Sequence, residues 1–245
     1  MLNIVIAEAE LELVPTEIKK HPVIVFSAKK QGLKPEELIL ESTHHHSAMW
    51  GLKDGRKRGR PDIIHFCLNY ALYTPLNMEN MLGLAVHTRN DEIFEIVRYT
   101  RIPKNYQRFI GLMRQLLINK KVPPQNPLIT MKKQTLEDYL KEKKPTRVFL
   151  LSRHGDMHTP FALGKKLVAE KKPYVIIGGF PHGSFSKKYH SIYDEIVSIY
   201  EKSLPAWNVI GEVIAGYEQA ANIFIGDKNE NKETKMDKGN SQRAD

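Results

Sequence analysis

The chain has 245 residues, 41% of them hydrophobic, with a formal net charge of +9 and one cysteine. That length can bury a sizeable core in one large domain, or in one domain carrying an insertion. The lone Cys67 excludes an internal disulfide framework, and its apolar setting "IIHFCL" points to a buried thiol. No stretch approaches the roughly 20 consecutive apolar residues that span a bilayer, and no basic region precedes the apolar N-terminus. The expectation is a cytoplasmic protein without a membrane partner. Residues 227–245 hold five Lys/Arg against five Asp/Glu, so the positive excess lies in the body of the chain. A basic body points to a polyanion, most often nucleic acid. The polar, charge-mixed tail is expected to be disordered, leaving residues 1–226 as one domain.

In chain order, the compact β-branched runs "LNIVIAEA" (2–9) and "PVIVFSA" (22–28) predict two short buried strands with a helix between them. The stretch from Gly32 to Gly59 has little periodicity and predicts irregular chain at the margin of a site. "IIHFCLNYALYTPL" predicts a helix with Asp62 as its N-cap and Pro75 near its end. "MLGLAVHT" and "EIFEIVRY", around "RND", predict a β-hairpin. In "KNYQRFIGLMRQLLINK", Tyr106, Phe109, Ile110, Met113, Leu116 and Leu117 recur at three- and four-residue spacing, which makes one buried helical stripe. "VPPQNP" ends that helix. From Thr146 the order is strand "RVFLLS", helix "TPFALGKKLVAE", strand "YVIIGG", strand "EIVSIY" and helix "AWNVIGEVIAGYEQAANIF". This alternation predicts an α/β sheet, parallel where helices intervene.

The strand at residues 176–186, "IIGGFPHGSFS", ends in two glycines with a third four residues later. Backbone without Cβ can approach a ligand closely and offer its amides. The stretch is no P-loop, because no Lys-Ser/Thr follows and a proline interrupts the place where a phosphate-binding helix would start. A dinucleotide motif would follow the first strand, whereas this one comes late. Taken alone, it fits a tight turn packed through glycines as well as it fits a ligand site. Two further strand ends carry similar loops: "RVFLLSRHG" with Gly155, and "SIYEKSLPAWNVIGE" before a helix with Gly211. Ligands of open α/β sheets collect at such carboxyl ends. Three loops together suit one small, flat, mostly neutral ligand, of which adenosine carrying a sulfonium amino acid is an example.

Basic residues cluster twice. "WGLKDGRKRGRPD" places Lys53, Arg56, Lys57, Arg58 and Arg60 close together, and most of them read as a solvated loop. Arg60 differs, because it precedes Pro61 and Asp62 lies within reach of its guanidinium; a plain N-cap is the other role open to Asp62. Between Arg98 and Lys121 there are seven Lys/Arg and no acidic residue. Lys104 and Arg108 share one helix face and Arg101 precedes it, a cluster suited to backbone phosphates. Tyr99 and Tyr106 are available for stacking, Tyr106 also belonging to the apolar stripe.

The triplet His44-His45-His46 sends its side chains in divergent directions, and "HGDMH", with His154, Asp156 and His158, reads as a loop lining; no metal site is expected. No G-x-S-x-G elbow accompanies Ser184, which argues against a serine hydrolase.

Four segments, "RPDIIHFCL", "TRIPKNYQRFIGLMRQLL", "GGFPHGSFS" and "LPAWNVIGE", resemble the archaeal and eukaryotic methyltransferases that modify N1 of a pseudouridine in small-subunit ribosomal RNA, members of the SPOUT class. The resemblance covers most of the chain before the tail. It implies a trefoil-knotted α/β sheet with helices on both faces, an inserted hairpin and basic-helix region at about residues 50–121, a homodimer, and S-adenosylmethionine as cofactor. General topology rules argue against a knot, so that expectation belongs to the resemblance alone. Carried over by position, cofactor contacts fall on Leu151, Gly178, Gly183, Ser184, Phe185 and the run Leu204, Pro205, Ala206, Trp207, Asn208, Val209. RNA contacts fall on Arg60, Arg101, Lys104 and Arg108, and the catalytic pair is Arg60 with Asp62, which either orients Arg60 or accepts the proton. Lys104 stands where eukaryotic relatives tend to carry arginine, so a bidentate phosphate contact becomes a point charge. Trp207 is bulkier than the residue some relatives place there. The residues themselves leave a second function open, that of a non-catalytic RNA-binding assembly factor for the ribosome.

Overall fold

The computed structural model describes residues 1–189 and 191–224, so the expectation for residues 227–245 lies outside the described residues. In chain order the elements are β1 (Leu2–Ala9), α1 (Pro22–Gln31), α2 (Ser42–Met49), α3 (Pro61–Leu72), α4 (Pro75–Met78), β2 (Leu82–Thr88) and β3 (Glu92–Ile96). There follow α5 (Tyr106–Asn119), β4 (Lys121–Val122), β5 (Ile129–Lys133), α6 (Leu136–Lys143), β6 (Arg147–Met157), α7 (Pro160–Ala169), β7 (Pro173–Gly178), β8 (Glu195–Ser198) and α8 (Ala206–Ala220).

The strands form one mixed sheet in the order β4-β5-β3-β2-β1-β7-β6-β8. Strands β2, β1, β7, β6 and β8 run parallel. Strands β3, β5 and β4 extend the β2 edge as an antiparallel meander, and β2 with β3 is the expected hairpin. From β6 the chain crosses through α7 to β7, which lies inward against β1, and then passes back to β8 on the far side of β6. Crossings in opposite directions leave a crevice at the carboxyl ends of these strands.

The pleat divides the core. Leu2, Ile4 and Ile6 of β1 share one cluster with Ile64 and Leu68 of α3, Phe109 and Met113 of α5, and Ile210 and Val213 of α8. Val5 and Ala7, on the opposite face, join Leu136, Tyr139 and Leu140 of α6. Helices therefore cover both faces. In α5, Phe109, Ile110, Met113, Leu116 and Leu117 are buried, as their spacing requires, and each such side chain contributes about 1.5–3 kcal/mol relative to exposure. Helices α7 and α8 cross at glycines. A Cβ on Gly164 would stand 2.0 Å from the Gly216 carbonyl oxygen, and one on Gly216 would stand 2.1 Å from that of Pro160. No other residue permits that approach.

Three local expectations fail for identifiable reasons. Residues 22–28 form helix α1 and not a strand: Pro22 suits a first helical turn, His21 Nδ1 accepts from Val23 N–H at 3.3 Å, and Gly32 closes the helix in the left-handed region. The segment between β1 and α1 is not helical. Leu11 and Glu12 are buried in extended chain, and Leu13 bridges to Ile39. The stretch from Gly32 to Gly59 contains α2, where His45 turns inward and its Nδ1 accepts from Glu41 N–H at 3.1 Å. In addition, Arg60, not Asp62, is the N-cap of α3, because Pro61 takes the first helical position. Cys67 is fully buried, and burial pushes its thiol well above the ordinary range.

Candidate functional site

The C-terminal half of β6, where its register with β8 shifts between Leu151 and Asp156, and the loops after β7 and β8 enclose a cleft of about 560 Å³. Its lining includes Leu151, Gly178, Gly183, Ser184, Phe185, Leu204, Pro205, Ala206, Trp207 and Val209, together with Arg60. Of the cofactor positions carried over from the resemblance only Asn208 stays outside, as an exposed residue of the first turn of α8. Ile177, Val197 and Ile199 complete apolar walls from strand ends. Such walls with backbone amides between them suit a flat, mostly neutral ligand.

The glycines of "IIGGFPHGSFS" divide two tasks. A Cβ on Gly179 would stand 2.9 Å from Ala9 Cα and from Ile6 Cγ2, so this glycine lets β7 close on β1. Gly183 has φ +91° and nothing within 4 Å of a built Cβ. Its backbone needs glycine for conformation, and the space before it is open. Packing thus accounts for Gly179, whereas Gly183 presents bare backbone to the cleft.

The loop is held from β1. Glu8, at φ +50°, accepts from Ser186 N–H at 2.9 Å through Oε2 and from the Ser186 hydroxyl through Oε1. Glu8 N–H in turn donates to His87 Nδ1 at 3.2 Å, and the other His87 nitrogen meets Asp91 at 3.1 Å. Burial lowers the His87 pKa, so the ring stays neutral with its proton toward Asp91. A chain of hydrogen bonds through buried Glu8 and His87 therefore anchors the glycine loop to the sheet. Sequence reasoning missed Glu8, since its partner lies 178 residues away. It also missed Phe180, His182, Tyr200 and Ser203 in the lining.

Arg60 reaches the cleft from the start of α3. Its Nε and Nη2 donate to Asp62 Oδ1 and Oδ2 at 2.8 and 2.7 Å, a two-pronged pair with each side chain about one-third exposed (33% and 32%). The Asp62 hydrogen bonds raise the Arg60 pKa, burial opposing, so the guanidinium is a permanent charge. Next to this pair, Tyr106 donates its hydroxyl to Glu41 Oε2 at 2.7 Å. Burial and then Glu41 push that hydroxyl well above its ordinary value, which keeps it a neutral donor.

The basic segment is tied to α3, since His65 Nε2 bonds the Pro103 carbonyl at 2.8 Å. Arg101, Lys104 and Arg108 are exposed and form no ion pair among the described residues. Lys104 Nζ sits 5.0 Å from the Tyr73 ring centroid. Asn105 caps α5, and the first turn carries no acidic residue, so the positive helix end adds to the three cations. Arg58 corrects the solvated-loop reading. It is buried, forked onto Glu12 at 2.7 and 2.7 Å, because Glu12 is an inward carboxylate that needs a countercharge. Among the described residues no cluster of three His, Cys, Asp or Glu is placed to hold a metal, and no helix is long and apolar enough to cross a membrane.

Comparison with known proteins agrees with this geometry. Ribosomal RNA small subunit methyltransferase Nep1 of Pyrococcus furiosus is 47% identical over 217 residues, covering 89% of this chain and 96% of that protein. Its counterpart in Thermococcus kodakarensis is 44% identical over 223 residues, covering 91% and 100%. A crystal structure of Archaeoglobus fulgidus Nep1 bound to S-adenosylhomocysteine matches with a TM-score of 0.81 at 34% identity, covering 90% of this chain and 98% of that one. The mixed α/β sheet is that of this structure, consistent with the SPOUT class. Residues 4–218 match the family model described as EMG1/NEP1 methyltransferase, and the chain belongs to that family.

Proposed function

We propose that this protein methylates N1 of a pseudouridine in small-subunit ribosomal RNA, with S-adenosylmethionine in the cleft lined from residues 151–154, 177–185 and 197–209, and with residues 1–226 acting as one domain. The observation that carries this reading is the meeting of two features at one place. A cleft with apolar walls and an open glycine backbone abuts a fixed guanidinium, which itself adjoins a basic surface without ion pairs among the described residues.

The donor fits the residues present. Gly183 leaves room for a ligand against bare backbone, and Leu151, Ile177, Val197 and Leu204 offer apolar contact to a flat ring system. When bound, the cofactor supplies an electrophilic methyl group, so the protein has to align the acceptor nitrogen and assist loss of its proton. Arg60 lies at the edge of the cleft, where its charge stabilises the uracil ring as it becomes anionic. Both Asp62 oxygens are engaged by Arg60, which supports an orienting role for Asp62. Arg101, Lys104 and Arg108 would hold backbone phosphates while the target base is turned out of the strand toward the cleft.

We further infer a homodimer. Phe66 and Tyr70 of α3 and Tyr73, its C-cap, lie at helical spacing, all exposed, and Phe66 packs on Trp207 with ring centroids 5.1 Å apart. An aromatic stripe of this kind beside a cleft wall suits a second copy. A cytoplasmic location completes the reading.

The test is methyl transfer to a small-subunit RNA fragment prepared with uridine or pseudouridine at the same position, read by mass spectrometry of digested nucleosides. Methylated pseudouridine from the second substrate alone is expected. A methyl group on another atom would overturn the N1 assignment, and no transfer to either would count against enzymatic function.

A further inference from the structure

A second cavity, of about 860 Å³, lies across the His182–Ser184 loop from the cleft, and those three residues line both. Trp50 stands in its wall, 80% exposed. The indole is held in a fixed attitude: its Nε1–H donates to His46 Nδ1 at 3.4 Å, and the two rings meet edge to face with centroids 5.6 Å apart. A bare aromatic ring whose orientation is set by a neighbour is a stacking platform for a planar ligand. Arg56 lies at the rim, exposed and without an ion pair among the described residues. Its carbonyl oxygen meets His182 Nε2 at 3.1 Å, which joins this segment to the loop shared by the two cavities.

Glu10 supplies a third element. Its side chain is 2% exposed, and Oε2 accepts from Arg89 Nη1 at 2.8 Å. Oε1 accepts no hydrogen bond from the described residues, although the residue lines the cavity. At the cavity wall Oε1 is a free acceptor, which a ligand carrying a hydrogen-bond donor would engage. Platform, cation and acceptor match the three parts of a single-stranded nucleotide: base face, phosphate, and a hydrogen-bond donor on the base edge.

We propose that this cavity binds a nucleotide neighbouring the target, with its base stacked on Trp50, its phosphate at Arg56, and the exocyclic amino group of adenine, cytosine or guanine donated to Glu10. This rests on the RNA-methylation reading above, because it continues the same strand past the His182–Ser184 loop. Uracil is disfavoured. Its edge donor N3–H is flanked by two carbonyl oxygens, which a carboxylate repels. The inward carboxylates of Glu8 and Glu10 likewise disfavour an acidic peptide.

The experiment is fluorescence anisotropy of the full chain with labelled short oligo(A), oligo(C) and oligo(U) strands, for the unmodified protein, Trp50→Ala, Arg56→Ala and Glu10→Gln. Calorimetry with S-adenosylmethionine is run on each protein in parallel. The unmodified chain is expected to prefer oligo(A) and oligo(C) over oligo(U), and Trp50→Ala to weaken both by about tenfold. Arg56→Ala is expected to flatten the salt dependence by roughly one phosphate contact, a slope change of about 0.7. Glu10→Gln is expected to lose the preference over oligo(U). Both surface variants should retain S-adenosylmethionine binding. Equal affinity of the unmodified chain for all three strands, or Trp50→Ala binding as the unmodified chain does, would overturn the proposal. If the unmodified chain fails to bind S-adenosylmethionine while the Trp50 effect persists, the cofactor reading falls and the nucleotide cavity stands.

Discussion

Arg60 and Asp62 are separated by one proline and joined by two parallel hydrogen bonds of 2.8 and 2.7 Å. Pro61 is the first residue of α3, so the carboxylate sits on the first helical turn and the guanidinium just outside it. Arg60 N–H also donates to the Glu10 carbonyl at 3.0 Å. The charge at the cleft edge is thus fixed by its own helix start and by the chain leaving β1. Arg60→Ala is expected to abolish methyl transfer while leaving S-adenosylmethionine affinity unchanged. Asp62→Asn, which keeps one acceptor oxygen, is expected to lower kcat by about 10- to 100-fold with little change in cofactor affinity, an orientation effect of roughly 1.4–2.8 kcal/mol. Single-turnover rates beside calorimetric affinities check both. A near-normal rate in Arg60→Ala would remove that residue from the chemistry.

Glu8 acts at one remove, by holding Ser186 and with it the glycine loop. Glu8→Ala is expected to weaken S-adenosylmethionine about tenfold, a loss of about 1.4 kcal/mol, by letting the loop sample other positions. Glu8→Gln, which retains one acceptor, should recover part of it. Calorimetry on the two variants, with circular dichroism as a check on folding, gives the ranking.

RNA affinity should depend steeply on salt. With about four phosphate contacts to single-stranded RNA, log affinity is expected to fall against log salt with a slope of roughly −3. Replacing Arg101 or Arg108 by alanine should reduce the slope by about 0.7 each and weaken all sequences alike. Filter binding across a salt series measures it.

Stability should fall in mild acid through His45. Burial, with His44 adding, pushes the His45 pKa down to about 4, and Nδ1 accepts from Glu41 N–H only while it is unprotonated. A pKa depressed on folding gives stability that is complete above the unfolded value, near 6.5, and is lost as pH falls toward about 4. The loss is on the order of 3 kcal/mol across that window. His45→Asn, which cannot titrate, should show a smaller decline in urea midpoint between pH 7 and 4.5 than the unmodified chain.

Much of the architecture was legible where periodicity and burial agree. The β2–β3 hairpin, the stripe of α5 and the order of elements after Thr146 follow from patterns local to each segment. Residues 22–28 misled because Val and Ile favour strands in isolation, yet capping by His21 and Gly32 decides the helix and only Ile24 and Ala28 are buried. Strands β4 and β5 left no signal, since the prolines between them break any period and their pairing depends on β3. In the site, glycines at strand ends and the Arg60–Asp62 spacing were readable. The Glu8–Ser186 and Glu12–Arg58 contacts were not, because each unites residues far apart in the chain.

The central claim is that the end of β6 and the loops after β7 and β8 hold the methyl donor, and isothermal calorimetry with S-adenosylmethionine tests it most directly. Gly183→Trp serves as the blocked control, since its side chain would enter the open space before the loop from a backbone at φ +91°. Saturable binding near one per protomer, lost in the folded variant, is the expected result. No binding by the unmodified chain, in a protein that is folded and still retains RNA, would contradict the account and favour a non-catalytic role in ribosome assembly.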